Sequence, residues 1–266
     1  MNNSKMTTRP VRFHRMGRRN GRFGTWFVLA LALFLLSAAA MPGLAHKAQA
    51  AEKSPLIACA SSMRFAMEEL SAKFMAESGH KIRLAYGSSG NFTRQIMQGA
   101  PFALFLSADN SYPLRLADAG LTVDEGTPYA LGRLALFLPN GSPLAADPTL
   151  DDLAAALEAG KVSRFAIASP DHAPYGRAAR EILQSKGLWE KIGPALVYGE
   201  NVAQAAQFAA SGSSQGGIVA YSLVLAPALA RLGTAPLLPQ PAPTALVPRM
   251  GLVTGARETP ASLCRS

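Results

Sequence analysis

From Pro55 onward, short apolar runs alternate with stretches of helical period, and four of those runs end in small polar residues and glycine directly before a helix. Pro55 to Ala60, Lys81 to Tyr86, Phe102 to Ser107, Leu131 to Leu138, Phe165 to Ala168, Leu196 to Tyr198 and Ile218 to Tyr221 read as strands. Met63 to Glu77 reads as a helix, with Phe65, Leu70 and Phe74 spaced for one buried face and Gly79 as its stop. Phe92 to Met97, Leu150 to Glu158 and Arg177 to Gln184 read as further helices, and Pro113 and Gly120 suit the first turn and the end of another. Strands alternating with helices at this spacing predict an α/β fold of parallel-rich sheets covered by helices on both faces. Leu131 to Leu138 is long enough to carry the chain from one lobe to another, and Thr234 to Pro248, with five prolines, reads as a second connection. The expected division is residues 51–132 as a first lobe, 133–239 as a second, and 240–266 returning to the first.

The first fifty residues stand apart. They hold eight basic residues (Lys5, Arg9, Arg12, Arg15, Arg18, Arg19, Arg22, Lys47) and no Asp or Glu. An apolar run from Trp26 to Met41 spans roughly fifteen residues, short of the about twenty a membrane span needs. Ala48-Gln49-Ala50 then supplies a small-x-small cleavage pattern, so the segment reads as a secretory signal peptide, with an uncleaved anchor helix as the alternative. Arg18-Arg19 is followed by Asn20-Gly21-Arg22, a poor fit to a twin-arginine signal. No cysteine follows the apolar run at the cleavage point, so a lipid-free periplasmic product is expected. The formal charge of +9 comes from 26 basic and 17 acidic residues; without the leader 18 basic residues face the same 17, a balance of +1. A nucleic-acid partner, which needs a basic face on the domain itself, is therefore not indicated. Cys59 lies in an apolar strand and Cys264 near the end of the sequence. Export permits a disulfide between them, but two isolated cysteines read more simply as free thiols. Without a CxxC or His/Cys cluster, no structural metal site is expected.

The chemistry gathers where strands meet helices. The first strand runs into Ser61-Ser62, the second into Gly87-Ser88-Ser89-Gly90-Asn91, the fifth into the loop Ser169 to Gly176, and the sixth into Gly199-Glu200-Asn201-Val202. Such junctions offer unpaired backbone N–H groups and the positive end of a helix dipole, which attract anions without a formal positive charge. Serine hydroxyls add donors that rotate to suit a guest, and glycine lets backbone approach closely. In open α/β sheets, ligands bind beyond the carboxyl ends of the strands. The competing explanation is that Ser61, Ser62 and Ser89 merely cap helices.

Across Ala58 to Ser62, Tyr86 to Ile96, Gly99 to Asp109, Ala173 to Ala179, Glu200 to Val202 and Gly217 to Ala220, the chain resembles the molybdate-binding proteins of ATP-driven importers. The resemblance covers roughly Pro55 to Gly255. It implies a two-lobed periplasmic binding protein fold of type II that closes on a tetrahedral oxyanion and delivers it to a membrane permease of an ABC importer. Carried over position by position, it implies ligand donors at Ser61, Ser62, Ser89 and Tyr175 and at the backbone N–H of Val202, with Ser88 a neighbouring candidate. Molybdenum would enter only as the oxyanion, with no direct metal ligand, no cofactor and a monomeric protein. Some relatives place a tyrosine directly after the Gly-Ile-Val strand. Here that position is Ala220 and the tyrosine follows at Tyr221, so the chain looks like the subgroup that draws its tyrosine from the Ala-Pro-Tyr-Gly loop. Family members also continue beyond the Gly251 to Gly255 region into helices that complete the first lobe. This sequence reaches Ser266 without them, and the expectation is a first lobe lacking its C-terminal helices, with apolar sheet surface left uncovered.

Donor-only sites suit molybdate, tungstate and sulfate, which are fully deprotonated near neutral pH; hydrogen phosphate wants a buried carboxylate acceptor, for which only Asp171 and Glu200 lie near. Sulfate, with oxygens closer to its centre, is excluded by cavity size, whereas tungstate matches molybdate. The alternatives are a binding protein for another oxyanion such as sulfate and a secreted serine hydrolase with Ser89 as nucleophile and His172 with Asp171 as base. The hydrolase reading is weak because Asn91 stands where the G-x-S-x-G turn needs its last glycine.

Overall fold

A computed structural model describes residues 54–239 and 246–255. All of them fall in one compact unit, Ser54–Ser266. The leader, Cys264 and the final residues lie outside the described part.

The first sheet begins with β1 (Leu56–Ala60), β2 (Arg83–Gly87) and β3 (Phe102–Ser107), joined by α1 (Arg64–Ser78) and α2 (Ser89–Met97). β1 lies between β2 and β3 and runs parallel to both, the expected outcome when each strand returns through a helix. After α3 (Ser111–Asp118) and the short β4 (Thr127–Pro128), the chain leaves this sheet and enters a second through β5 (Leu134–Pro139). The second sheet continues with α4 (Asp151–Glu158), β6 (Phe165–Ala168), α5 (Pro174–Ser185), α6 (Trp189–Ile192), β7 (Leu196–Gly199), α7 (Val202–Ala210) and β8 (Gly216–Ala220). The short α8 (Tyr221–Val224), α9 (Pro227–Ala230) and β9 (Gly233–Thr234) follow, and β10 (Arg249–Leu252) rejoins the first sheet.

The sheets have the orders β2-β1-β3-β10-β4 and β7-β6-β8-β5-β9. Both are mixed, which adjusts the parallel expectation: β10 is antiparallel to β3 and β4, and β5 is antiparallel to β8 and β9. These are the strands by which the chain arrives from the other lobe, so no crossover helix sets their direction. The two connections run side by side. Gly132 N–H donates to the Leu246 carbonyl at 2.7 Å and Tyr129 N–H to the Pro248 carbonyl at 3.0 Å. This pair of crossing backbones is the covalent link between the lobes.

Two strand and helix limits correct the sequence reading. Leu131 is 73 % exposed and precedes β5, because the residues up to Arg133 belong to the crossing. Tyr221 opens α8 and does not end β8. In α1 the expected stripe of Phe65, Leu70 and Phe74 packs in part: Phe65 meets the core and Phe74 is partly buried, but Leu70 faces away. Met67 and Ser71 are buried, whereas Leu70 is 55 % exposed. A helix with few large apolar residues presents several candidate faces, and the position of the sheet selects one. Cys59 is a fully buried thiol in β1 with no disulfide partner among the described residues, and burial pushes its pKa up to about 12.

The larger core belongs to the second lobe, where Phe137, Phe165, Ile167, Leu183 and Ile218 are fully buried between the sheet and helices α4, α5 and α7. In the first lobe Ala58, Phe105, Phe92, Phe102 and Leu116 fill the space beneath α2 and α3. There the Phe92 and Phe102 rings meet edge to face at 5.3 Å. Gly87, at the end of β2, is needed for this packing, since a Cβ on it would stand 3.0 Å from the Phe92 ring. The core thus draws the start of α2, with its two serines, onto the end of the sheet.

Candidate functional site

Five strand-to-helix junctions, three from the first lobe and two from the second, converge on one small pocket. It is lined by Ala60, Ser61 and Ser62 after β1, Gly87, Ser88 and Ser89 after β2, Ala108 after β3, Ala173 to Tyr175 at the start of α5, and Val202 at the start of α7. About 180 Å³ of space, continuous with open solvent, lies among these residues. All six residues singled out from the sequence, Ser61, Ser62, Ser88, Ser89, Tyr175 and Val202, line it and are buried. No charged side chain does.

The serines are not helix caps. Ser61 and Ser62 begin a single 3-10 turn, Ser61–Met63, and neither α1 nor that turn has a side-chain cap. Ser88 occupies the N-cap position of α2, yet its hydroxyl makes no capping bond and is buried without a hydrogen-bond partner. A buried hydroxyl left in this state is costly unless something else meets it. Ser89, the first residue of α2, accepts a hydrogen bond from the Ala108 N–H at 3.0 Å, which leaves its own proton available for donation. The one capping side chain at the pocket is that of Asn201, which accepts from the N–H groups of Ala203 and Gln204 in α7. Val202, the first residue of that helix, is not among the groups Asn201 caps. Its N–H projects from the positive end of the helix dipole.

Tyr175 joins the two lobes at the pocket. Pro174 begins α5, where its fixed φ suits a first helical turn, and the next residue extends its ring toward the first lobe. Its hydroxyl faces Ser62, and the residue is almost wholly buried. Burial pushes its pKa up to about 12, against a smaller lowering by Ser62, so it remains a neutral hydrogen-bond donor throughout the physiological range. Gly132, in the crossing backbone, makes room for it, since a Cβ there would stand 2.9 Å from the tyrosine hydroxyl. Ser61 Oγ accepts from the Ala203 N–H at 3.2 Å and Ser222 Oγ donates to the Ser62 carbonyl at 2.7 Å, so both serines after β1 are tied to the opposite lobe.

The charged residues stand outside the pocket and pair with one another. Asn91 in α2 donates to Glu200, and Arg94 donates to Asn91. Asp109, after β3, is bound by Arg177 of α5. His172 is held by its backbone, its carbonyl accepting from the Gly90 N–H at 2.9 Å. Its pKa is lowered, first by burial and then by Arg94, which keeps the ring neutral. Its Nδ1 has no hydrogen-bond partner, so no serine–histidine couple of the hydrolase type forms. Tyr221 does not line the pocket.

The sequence reading missed Ala108, whose N–H orients Ser89, and Ser222, which holds the Ser62 carbonyl. Ala108 sits within the Ser107-Ala108-Asp109 stretch, but an alanine carries no chemical signal beyond its backbone. Ser222 lies 160 residues from its partner. Among the described residues, no three His, Cys, Asp or Glu side chains gather as a metal site, and no helix is long and apolar enough to cross a membrane.

The chain is similar to known proteins in sequence and in fold. The family model of the bacterial extracellular solute-binding proteins matches residues 55–263. The molybdate-binding protein ModA of Rhodobacter capsulatus is 39 % identical over 203 residues, which cover 76 % of this chain and 77 % of that protein. The ModA of Azotobacter vinelandii is 39 % identical over 183 residues, 68 % of this chain and 69 % of that protein. Among solved structures, the A. vinelandii periplasmic molybdate-binding protein matches with a TM-score of 0.69 at 26 % identity, covering 80 % of this chain and 90 % of that one. A sulfate-binding protein of Mycobacterium tuberculosis, at 16 % identity and a TM-score of 0.60 over 77 % of each chain, shares the fold.

Proposed function

The chain belongs to the bacterial extracellular solute-binding proteins, and from that premise we propose that it captures molybdate, or the equally sized tungstate, and passes it to the membrane permease of an ABC importer. It is a binding protein and not an enzyme, with the two-lobed type II architecture of the molybdate-binding structures. The observation that carries the ligand assignment is the small pocket lined only by neutral groups at the ends of five strands, three from serine-bearing or tyrosine-bearing turns, one from the Ala108 turn and one from a helix N-terminus. Ser61, Ser62, Ser89 and Tyr175 donate from hydroxyls and Val202 from its backbone, while Ser88 supplies the buried hydroxyl for which the protein itself has no partner.

A doubly charged anion loses its water shell on entering such a site. Fixed dipoles replace that shell without reorganising, and each charge-assisted hydrogen bond is stronger than a neutral one. The pocket contains no carboxylate to accept the proton of hydrogen phosphate, which favours fully deprotonated oxyanions. The protein acts in the periplasm after export by the N-terminal leader, as a monomer, with no cofactor other than its cargo. The deciding experiment is calorimetric titration of the processed chain with molybdate, tungstate, sulfate and phosphate. Tight binding of the first two and weak or no binding of the others is expected. Preference for sulfate would move the assignment to a different oxyanion, and heat from none of the four would end it.

A further inference from the structure

We propose that Asp109, Arg177 and Tyr112 form a latch between the lobes, outside the pocket, that holds the clamp shut and sets how fast the guest leaves. Asp109 and Tyr112 belong to the first lobe, at the end of β3 and in α3. Arg177 belongs to the second, one turn into α5. The guanidinium binds the Asp109 carboxylate through one nitrogen and donates to the Tyr112 hydroxyl at 2.8 Å through another. Its centre lies over the Tyr112 ring at 5.1 Å. Tyr112 in turn directs its hydroxyl at the His172 carbonyl, 3.5 Å away across the same seam. The seam is tight, for a Cβ on Gly90 would stand 2.6 Å from the Tyr112 hydroxyl and 2.7 Å from the His172 carbonyl.

The latch is built in advance. Ser111 Oγ donates to Asp109 at 3.0 Å, so the carboxylate is already oriented before the lobes meet. The Asp109 side chain is only 11 % exposed and that of Arg177 29 %. Pairs of this kind are screened less than surface ion pairs, and removal of one member leaves the other poorly solvated. None of the three residues lines the pocket, so their effect on a guest must pass through closure. When only the closed state binds, apparent affinity falls in proportion to the closed fraction. Affinity differences within a variant series fall mainly on the dissociation rate.

The inference rests on the oxyanion reading only for its cargo. The test therefore has two arms, applied to Arg177→Gln, Asp109→Asn and Tyr112→Phe, each first shown to retain wild-type circular dichroism. Small-angle scattering without added ligand should give a larger radius of gyration for the first two variants. Stopped-flow displacement of molybdate should show release accelerated by about tenfold or more for Arg177→Gln, within the usual range of coupling between distant sites. Association should be nearly unchanged, Tyr112→Phe should have a smaller effect, and the double variant Arg177→Gln/Asp109→Asn should be no worse than the worse single one, because the two share one interaction. Unchanged scattering together with release rates within about twofold of wild type in every folded variant would overturn the latch. A wild-type protein that ignores molybdate while Arg177→Gln still opens the lobes would remove the ligand assignment and leave the latch standing.

Discussion

Replacing Tyr175 by phenylalanine separates what its hydroxyl does for a guest from what its ring does for the fold. The ring is buried where α5 meets the first lobe, and phenylalanine preserves that packing. Two interactions disappear. Without ligand, the loss is the polar contact of the hydroxyl with Ser62, worth at most about 1 kcal/mol, which in a chain of this size lowers Tm by no more than about 2–4 °C. With an oxyanion in place, the loss is a hydrogen bond to a charged group, about 1.5–3 kcal/mol. At about 1.4 kcal/mol per decade this weakens binding by roughly 10- to 150-fold. The two losses are read in different experiments: thermal unfolding of the free protein, and calorimetric titration with molybdate. The pKa of about 12 adds a control. A neutral phenol donates at every pH from about 6 to 9, so the ratio of wild-type to variant affinity should be flat over that range. A variant that binds molybdate within about threefold of wild type, while showing the small loss in Tm, would place the hydroxyl outside the ligand shell. It would leave Tyr175 as a packing residue that merely touches Ser62.

Ser89→Ala should cost more than a single donor, because the Ala108 N–H loses its acceptor as well. Loss of molybdate affinity by on the order of 1–3 kcal/mol with a measurable fall in urea midpoint is expected, and an unchanged affinity would remove Ser89 from the site. Gly176→Ala would set a Cβ 2.3 Å from the Ala168 carbonyl oxygen. Since that oxygen is backbone and cannot rotate away, the first turn of α5 must shift, so urea unfolding should show a loss of about 1–3 kcal/mol together with weakened binding; a neutral result in both would show that the turn tolerates displacement. Alkaline pH should destabilise the protein. Burial raises Tyr175 and Tyr86 from 10.0 to about 12, so the folded chain holds protons that the unfolded chain releases. The stability these groups contribute is intact below about pH 10 and is lost as pH rises toward 12; tyrosinate absorbance should rise as the urea midpoint falls, and a flat midpoint across that window would contradict the burial.

The strand-to-helix junctions were legible because their chemistry is local. A doubled serine or a Gly-Ser-Ser-Gly turn advertises donors wherever the strand before it points, and the α/β alternation sends all those turns to one edge of each sheet. What the serines do there was less legible. Serine at a helix start reads equally well as a cap, and only the pocket distinguishes the uncapped Ser88 hydroxyl from the capping side chain of Asn201. The direction of β5 and β10 was hidden for another reason. An apolar run carries no sign for its direction, and both strands take theirs from the lobe they arrive from. Leu70 illustrates the limit within a helix: its spacing from Phe74 is right for a shared face, but the sheet meets the face of Met67 and Ser71 instead.

The least legible feature is the division of labour between neutral and charged groups. Composition shows a nearly balanced chain after the leader, and nothing in the order of residues says that its charges avoid the pocket. In the structure they are used across the seam, Asp109 with Arg177 and Glu200 with Asn91 and Arg94, while serine, tyrosine and backbone dipoles line the interior. There is a physical reason for such separation. A lysine or arginine inside a pocket of this size would hold any dianion strongly, but by net charge, which discriminates poorly among anions and slows release. Dipoles at fixed positions reward a guest whose oxygens meet every donor and penalise one that leaves a buried hydroxyl or N–H unmatched. Charges placed at the seam act on closure instead, where their strength alters how long any well-fitted guest is held. Recognition and retention then depend on different residues, and substitutions at Ser89 or Tyr175 should alter which oxyanion binds, whereas substitutions at Asp109 or Arg177 should change residence time for all of them alike.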